Sequence, residues 1–263
     1  MTTAQSTIPE EKVQSFHDEG YMILENALDS HLVEIAREEC AASIERKEEK
    51  MRKQGKTEDG INLLGKRYFI GLPSLFHPRL YELIFNDLTA EICRKTLGPD
   101  AFFFWDQYVV KFKDEEGSFA WHQDDGYTLG RPHHPTTTCW IALDDMTEEN
   151  GTIRVLPYSR AGGKELREHF WSDKQKAQVG YDGDDPGDLV EVPAGSVVVF
   201  SSLLLHRSGP NRTDRPRRSL FLSYSKEIIV MKDAEKGMWG RGEPFLKDGY
   251  RVDRQVTDYL QYT

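Results

Sequence analysis

Ser196-Val197-Val198-Val199-Phe200-Ser201-Ser202-Leu203-Leu204-Leu205-His206-Arg207-Ser208-Gly209-Pro210-Asn211 reads as a buried strand, an apolar run closed by histidine, and a turn. Short apolar runs bounded by turn residues are the pattern of strands covered on both faces. A histidine ending such a run is most often a packed core residue. Here the Ser-Gly-Pro-Asn turn and the arginines beyond it point to a ligand. Eighty-four residues before His206 stands Trp121-His122-Gln123-Asp124-Asp125-Gly126. Residues i and i+2 of an extended segment face the same way, so His122 and Asp124 can converge on one metal. His-x-Asp with one distant His is the set of the 2-His-1-carboxylate facial triad. That triad holds a divalent metal on one face and leaves the other positions open, as in non-haem Fe(II) oxygenases.

Eleven residues after His206 comes Arg217, within Arg212, Arg215, Arg217 and Arg218. A guanidinium can grip a carboxylate through two parallel hydrogen bonds, so triad plus clamp reads as a 2-oxoglutarate-dependent oxygenase. A basic run is more commonly a solvated face, and strand alternation sends only one of Arg217 and Arg218 inward without choosing between them. His17-Asp18-Glu19 has a similar composition but belongs to an amphipathic helix and reads as solvated. His133-His134 lies between Pro132 and Pro135 and reads as a loop beside the site. The formal net charge of −10 argues against nucleic acid as the main partner.

Several stretches together are similar to the phytanoyl-CoA dioxygenase family. They are Val13-Gln14-Ser15-Phe16-His17-Asp18-Glu19-Gly20-Tyr21-Met22-Ile23-Leu24-Glu25-Asn26, Trp121-His122-Gln123-Asp124, Cys139-Trp140-Ile141-Ala142-Leu143-Asp144-Asp145, Glu149-Asn150-Gly151-Thr152-Ile153-Arg154-Val155-Leu156-Pro157 and His206-Arg207-Ser208-Gly209-Pro210-Asn211, with Arg217. The resemblance implies a mostly β fold, a double-stranded β-helix (jelly roll, cupin-like) with N-terminal helices packed on one side. It implies His122, Asp124 and His206 as Fe(II) ligands, with 2-oxoglutarate and O2 as co-substrates. It further implies Arg217, assisted by Ser208, on the distal carboxylate of 2-oxoglutarate, Trp140 lining the same pocket, and Gln123 near it. Arg207 departs from the glycine usual after the second His, and Tyr158 and Arg160 stand where Gly and His are usual. Some relatives are halogenases that lack the carboxylate ligand, so Asp124 favours hydroxylation or a related oxidation.

The chain of 263 residues suits one domain, with a mainly helical part over 1–98, a β-helix core over 99–230 and a C-terminal extension over 231–263. Thirteen Phe, eleven Tyr and five Trp are enough for a real core. No run reaches the length of a membrane-spanning helix, and Met1-Thr2-Thr3-Ala4-Gln5-Ser6 lacks a signal-peptide apolar region. Cys40, Cys93 and Cys139 have no metal-type spacing, which fits free thiols in a reducing cytoplasm. Helix starts are expected at Thr7 and near Asp29 or Ser30, with Gly20 ending the first helix. Lys56 to Gly60 is expected to be a loop, and Leu80 to Ile92 helical up to Gly98. Strands are expected at Phe102–Trp105, Tyr108–Val110, Thr137–Leu143, Thr152–Leu156, Leu189–Val192, Ser196–Phe200 and Arg218–Tyr224. Asp182 to Asp188 lacks a closing acidic ligand and reads as an exposed acidic loop.

The expected reaction is hydroxylation, or another oxidation, of a C–H bond in a small organic substrate, with release of succinate and CO2. Gln107, Phe119, Tyr127 and Arg131 are candidate substrate contacts because they lie near the motif. Lys66, Arg67, Tyr68 and Phe69 read as a surface loop, with a lid as the sharper possibility. Two rivals remain: a non-catalytic metal-binding cupin-like module, and the same cofactors used for desaturation, cyclisation or epimerisation. A bare metal module has no need of Ser208 and Arg217 beside the third ligand.

Overall fold

The computed structural model describes residues 8–127, 135–173, 177–229 and 241–252, with the backbone of 232–233 and 237–238. Helix α1 (Glu10–Glu19) ends at Gly20, whose left-handed conformation lets its N–H reach the Phe16 carbonyl. Helix α2 (Ser30–Lys53) starts at Asp29, whose carboxylate accepts from the His31 N–H. Thr7, the expected first cap, lies outside the described residues. Helix α3 (Asp87–Thr96) is capped by the Asn86 side chain on the Thr89 N–H. That cap divides the expected Leu80–Ile92 helix, so only a short turn of helix, Tyr81–Ile84, precedes it.

Thirteen strands carry the argument. In chain order they are β1 (Tyr21–Leu24), β2 (Arg67–Gly71), β3 (Ala101–Lys111), β4 (Phe119–His122), β5 (Thr137–Ala142), β6 (Ile153–Leu156), β7 (Phe170–Ser172), β8 (Ala177–Val179), β9 (Asp188–Leu189), β10 (Val197–Ser201), β11 (Leu205–Ser208), β12 (Arg217–Ser225) and β13 (Glu243–Lys247). The larger sheet is antiparallel with the order β1-β10-β5-β12-β3-β2, and β13 joins the start of β3. The smaller sheet is antiparallel with the order β9-β6-β11-β4.

Alternation along the larger sheet separates two cores. Tyr108, Val110, Cys139, Ile141, Val197, Val199, Leu220 and Leu222 pack with Val13, Phe16, Ile35, Ala36, Ile92 and Cys93 of the three helices. The opposite faces of the same strands supply Trp140, Ala142, Val198 and Phe200. These meet Ile153 and Val155 of the smaller sheet. Each fully buried apolar side chain of this size contributes about 1.5–3 kcal/mol, and β10 and β5 are buried on both faces, with polar residues only at Thr137, Thr138 and Ser201 at one end.

Two expectations change. Lys66–Phe69 is not a surface loop, because Arg67–Gly71 pairs along Gln107–Lys111. Lys56–Gly60 contains the strand Glu58–Asp59, which closes a hairpin on Asn62–Leu63. The helical portion 1–98 therefore also gives β1 and β2 to the larger sheet, and residues 243–247 extend it from the other end of the chain. All three cysteines are free and buried. No helix among the described residues is long and apolar enough to cross a membrane.

Candidate metal centre

His122 ends β4, and His206 lies opposite it on β11. Their rings stand 4.2 Å apart. Asp124 is not on the strand: it begins the tight helical turn Asp124–Tyr127. The turn, rather than strand alternation, brings its Oδ1 to 3.6 Å from His206 Nε2. One ligand atom from each of the three residues lies within 4.8 Å of the others.

His122 Nδ1–H donates to the Ala120 carbonyl at 2.8 Å, and His206 Nδ1–H to the Leu204 carbonyl at 3.1 Å. Each Nε2 is thereby left as the acceptor nitrogen, the arrangement that orients metal-binding imidazoles. Burial, followed by the neighbouring His206, pushes the His122 pKa down to about 3. Burial also pushes His206 down to about 4, so both rings are neutral near pH 7. Burial raises Asp124, against the pull of His122 and a hydrogen bond from Thr138 Oγ1 at 3.4 Å.

A second feature faces the same interior. Arg67, Lys111 and Arg217 are register neighbours across β2, β3 and β12. Lys111 and Arg217 are 2% and 1% exposed. Lys111 Nζ donates to Ser208 Oγ at 2.8 Å and to the Gly209 carbonyl at 2.6 Å. Arg217 donates to Ser219 Oγ at 3.1 Å and to the Gly151 carbonyl at 2.8 Å, while its Nε–H has no acceptor among the described residues. Among the described residues neither cation forms a salt bridge. Burial depresses both, Arg217 to about 10 and Lys111 well below its usual range. Burying two basic groups without a salt-bridge partner, with only the minor pull of Asp144 on Arg217 and of Asp114 on Lys111, costs several kcal/mol per ion. A bound carboxylate would offset that cost.

The neighbouring pair is now resolved. Arg217 shares the inward face with Ser219 and Phe221. Arg218 points to the helical side, where its backbone N–H and guanidinium clasp the Asp144 carboxylate. Trp140 is fully buried between the sheets, and its indole N–H has no partner among the described residues. Gln107 lies on the inner side of β3, opposite Phe221 and Gly71. The Phe119 ring packs on Phe69 at 4.8 Å, with Lys111 Nζ 4.8 Å from its centroid. Tyr127 is exposed and sets its ring edge against His122 at 5.6 Å. Arg131, like His133 and His134, lies outside the described residues.

Gln123 requires a correction. Its amide is spent on the backbone of Glu165, Arg167 and Leu203, so it is not available to a co-substrate. Sequence reasoning missed Lys111, Thr138 and His169. Lys111 carried a usable signal, since it continues the inward set Gln107 and Val109 at the end of β3. Thr138 and His169 reach the site only through folding.

The donor set suits a divalent iron: two neutral imidazoles and one carboxylate on one side of a common point. The unpartnered Arg217 Nε–H and Trp140 Nε1–H suit an acceptor-rich ligand beside it. Residues 16–219 match the model of the family described as phytanoyl-CoA dioxygenase. The chain belongs to that family. It is 26% identical over 259 residues to the ectoine dioxygenase of Bordetella parapertussis, covering 89% of this chain and 80% of the relative. Among solved structures it resembles SnoK, a non-haem α-ketoglutarate-dependent carbocyclase of nogalamycin biosynthesis. The TM-score there is 0.68 at 19% identity, over 95% of both chains. It also resembles EctD from S. alaskensis with 2-oxoglutarate and 5-hydroxyectoine, with a TM-score of 0.67 at 19% identity over 96% of this chain and 90% of that one.

Proposed function

We propose that this family member is an Fe(II)/2-oxoglutarate-dependent dioxygenase that oxidises an unactivated C–H bond of a small organic substrate, releasing succinate and CO2. The observation that carries the reading is the pairing of a His-Asp-His cluster with two buried, carboxylate-free cations on the same interior. We read the two sheets as the halves of a double-stranded β-helix, and residues 1–263 as one domain in a cytoplasmic setting.

Iron, when bound, supplies the oxidation of 2-oxoglutarate and substrate by O2. The chain supplies position and a water-poor interior. His122, Asp124 and His206 hold the metal. Arg217 and Lys111, with Ser208 held by Lys111, take the distal carboxylate, and Trp140 offers its N–H along the wall. Gln107, Phe119 and Tyr127 are the substrate-contact candidates, together with Arg131. Asp124 fills the carboxylate position of the triad, so a chlorinated product is not expected in chloride buffer.

Fold does not choose between hydroxylation and ring closure, since a carbocyclase shares it. The test is an anaerobic titration of Fe(II) and 2-oxoglutarate, followed by a substrate library in air with succinate detection. Substrate-dependent succinate release supports the assignment, and product mass separates oxygen insertion from hydrogen removal. His122→Ala, Asp124→Ala and His206→Ala should each abolish this turnover while the protein stays folded. Undiminished turnover in all three would overturn the ligand set.

A further inference from the structure

Gln123, between two of the ligands, is 2% exposed, and its backbone N–H and side-chain amide are engaged away from the metal cluster. Its backbone N–H donates to His169 Nε2 at 3.0 Å. Its side-chain amide donates to the Glu165 carbonyl at 3.0 Å and the Leu203 carbonyl at 2.6 Å, and its oxygen accepts from the Arg167 N–H at 2.8 Å. One side chain therefore joins the His122–Asp124 segment, the turn that leads into His206, and the distant segment 163–169. His169 completes the lock. Its Nδ1–H donates to the Arg167 carbonyl at 2.8 Å, which leaves Nε2 as the acceptor for Gln123.

The imidazole is seated in a space made for it. A Cβ added to Gly126, in the turn that starts at Asp124, would lie 2.5 Å from the ring. A Cβ on Gly180 would meet the same ring at 2.5 Å, and the Gly180 N–H donates to the Trp121 carbonyl. Apolar burial does little to hold this segment in place, because Leu166, Phe170 and Trp171 are 50%, 54% and 55% exposed. Hydrogen bonds do that instead: the Gln123–His169 post, with Lys164 donating to the His17 carbonyl and Arg167 to the Ala161 carbonyl.

We propose that Gln123 and His169 are positioning residues of the metal centre, locking residues 163–169 across both ligand-bearing strands and so fixing the spacing of His122, Asp124 and His206. The inference rests on the metal assignment above. Groups that orient metal ligands from outside the coordination sphere typically cost 10–100-fold in affinity when removed.

Co(II), titrated into the metal-free full-length protein and followed by its visible absorption, is the probe. His169→Ala and Gln123→Glu should weaken Co(II) binding about 10- to 100-fold with an unchanged far-ultraviolet circular dichroism spectrum. Gln123→Glu turns the donor facing two carbonyls into an acceptor at constant shape. His169→Gln keeps an acceptor near the Nε2 position and should recover most of the loss, which a purely space-filling role would not do. If His169→Ala does not fold, the other two variants carry the test. Wild-type-like affinity in Gln123→Glu, or a His169→Gln as weak as His169→Ala, overturns the inference alone. Failure of the wild type to bind Co(II) overturns the metal assignment and this inference with it.

Discussion

Arg217 and Arg218 are identical side chains one residue apart, and the pleat of β12 gives them different chemistry. Arg217 is sealed inside with Lys111 and has no salt-bridge partner among the described residues, whereas Arg218 is matched to Asp144. A hydrogen bond to a charged group contributes about 1.5–3 kcal/mol. Losing the Arg217 clamp should then weaken 2-oxoglutarate binding about ten- to a hundredfold, at about 1.4 kcal/mol per tenfold. Arg217→Lys should restore only part of this, as a point charge replaces a planar fork. Arg218→Ala should leave 2-oxoglutarate affinity unchanged and lower the melting temperature instead. Lys111→Met keeps the apolar stem, so it too should weaken 2-oxoglutarate, yet melt no lower than wild type without ligand because a buried cation has gone. Anaerobic titration followed by the metal-to-ligand absorption band, together with melting curves, checks all four variants. Equal 2-oxoglutarate affinity in wild type and Arg217→Ala would remove the clamp. The triad was legible because its spacing is local on one side and flanked by a diagnostic turn on the other. Lys111 was overlooked although its place in the inward alternation could be read, because nothing in a sequence says that a lysine closing a strand will have no salt-bridge partner.

At the scale of elements, legibility followed the strength of the apolar pattern. Val197–Ser201 and Arg217–Ser225 emerged nearly whole, since each holds a run of apolar residues, Val197 to Phe200 and Leu220 to Leu222, long enough to mark a central strand. Ala101–Lys111 was expected as two pieces because Asp106 and Gln107 interrupt the apolar run, but pairing on both sides carries it through eleven residues. The 58–63 hairpin and the short strand Arg67–Gly71 have weak patterns of their own and are held by their neighbours. The two faces of the larger sheet should separate stability from metal binding. Phe200 faces the site, with its ring 4.9 Å from His206, while Leu222 packs on the helical side. Truncating either to Ala should cost a few kcal/mol, about 3–5 for Phe and 2–5 for Leu. Metal affinity of the folded protein should drop in Phe200→Ala and hold in Leu222→Ala. Equal metal affinities in the two would show that the faces are not separable in this way.

The whole molecule is closed by a join that no local pattern announced: Glu243–Lys247 pairs with the start of β3, and Arg241 reaches Ser74 from the far end of the chain. Asp106 sits at this junction with no exposure. Its Oδ2 accepts from the Ser74 N–H at 2.9 Å, and its Oδ1 has no partner among the described residues. Burial lifts its pKa to about 6, against the Ser74 hydrogen bonds and Arg241, while Glu243 adds to the rise. A raised carboxyl costs stability wherever it is charged in the fold, and that cost is relieved as pH falls from 6 towards the unfolded value near 4. At 1.36 kcal/mol per unit the effect is about 3 kcal/mol. Asp106→Asn keeps an acceptor for Ser74 and removes the titration. The stability difference between variant and wild type should therefore favour Asn most at pH 7.5 and shift by about 2 kcal/mol towards wild type by pH 4.5, still above the unfolded value. Any fixed cost of burying the amide cancels in that pH comparison, so the slope isolates the carboxyl. Urea unfolding of both proteins at the two pH values measures it. Parallel pH profiles would mean that Asp106 stays ionised in the fold, with Arg241 as its effective counter-charge across the junction of the two chain ends.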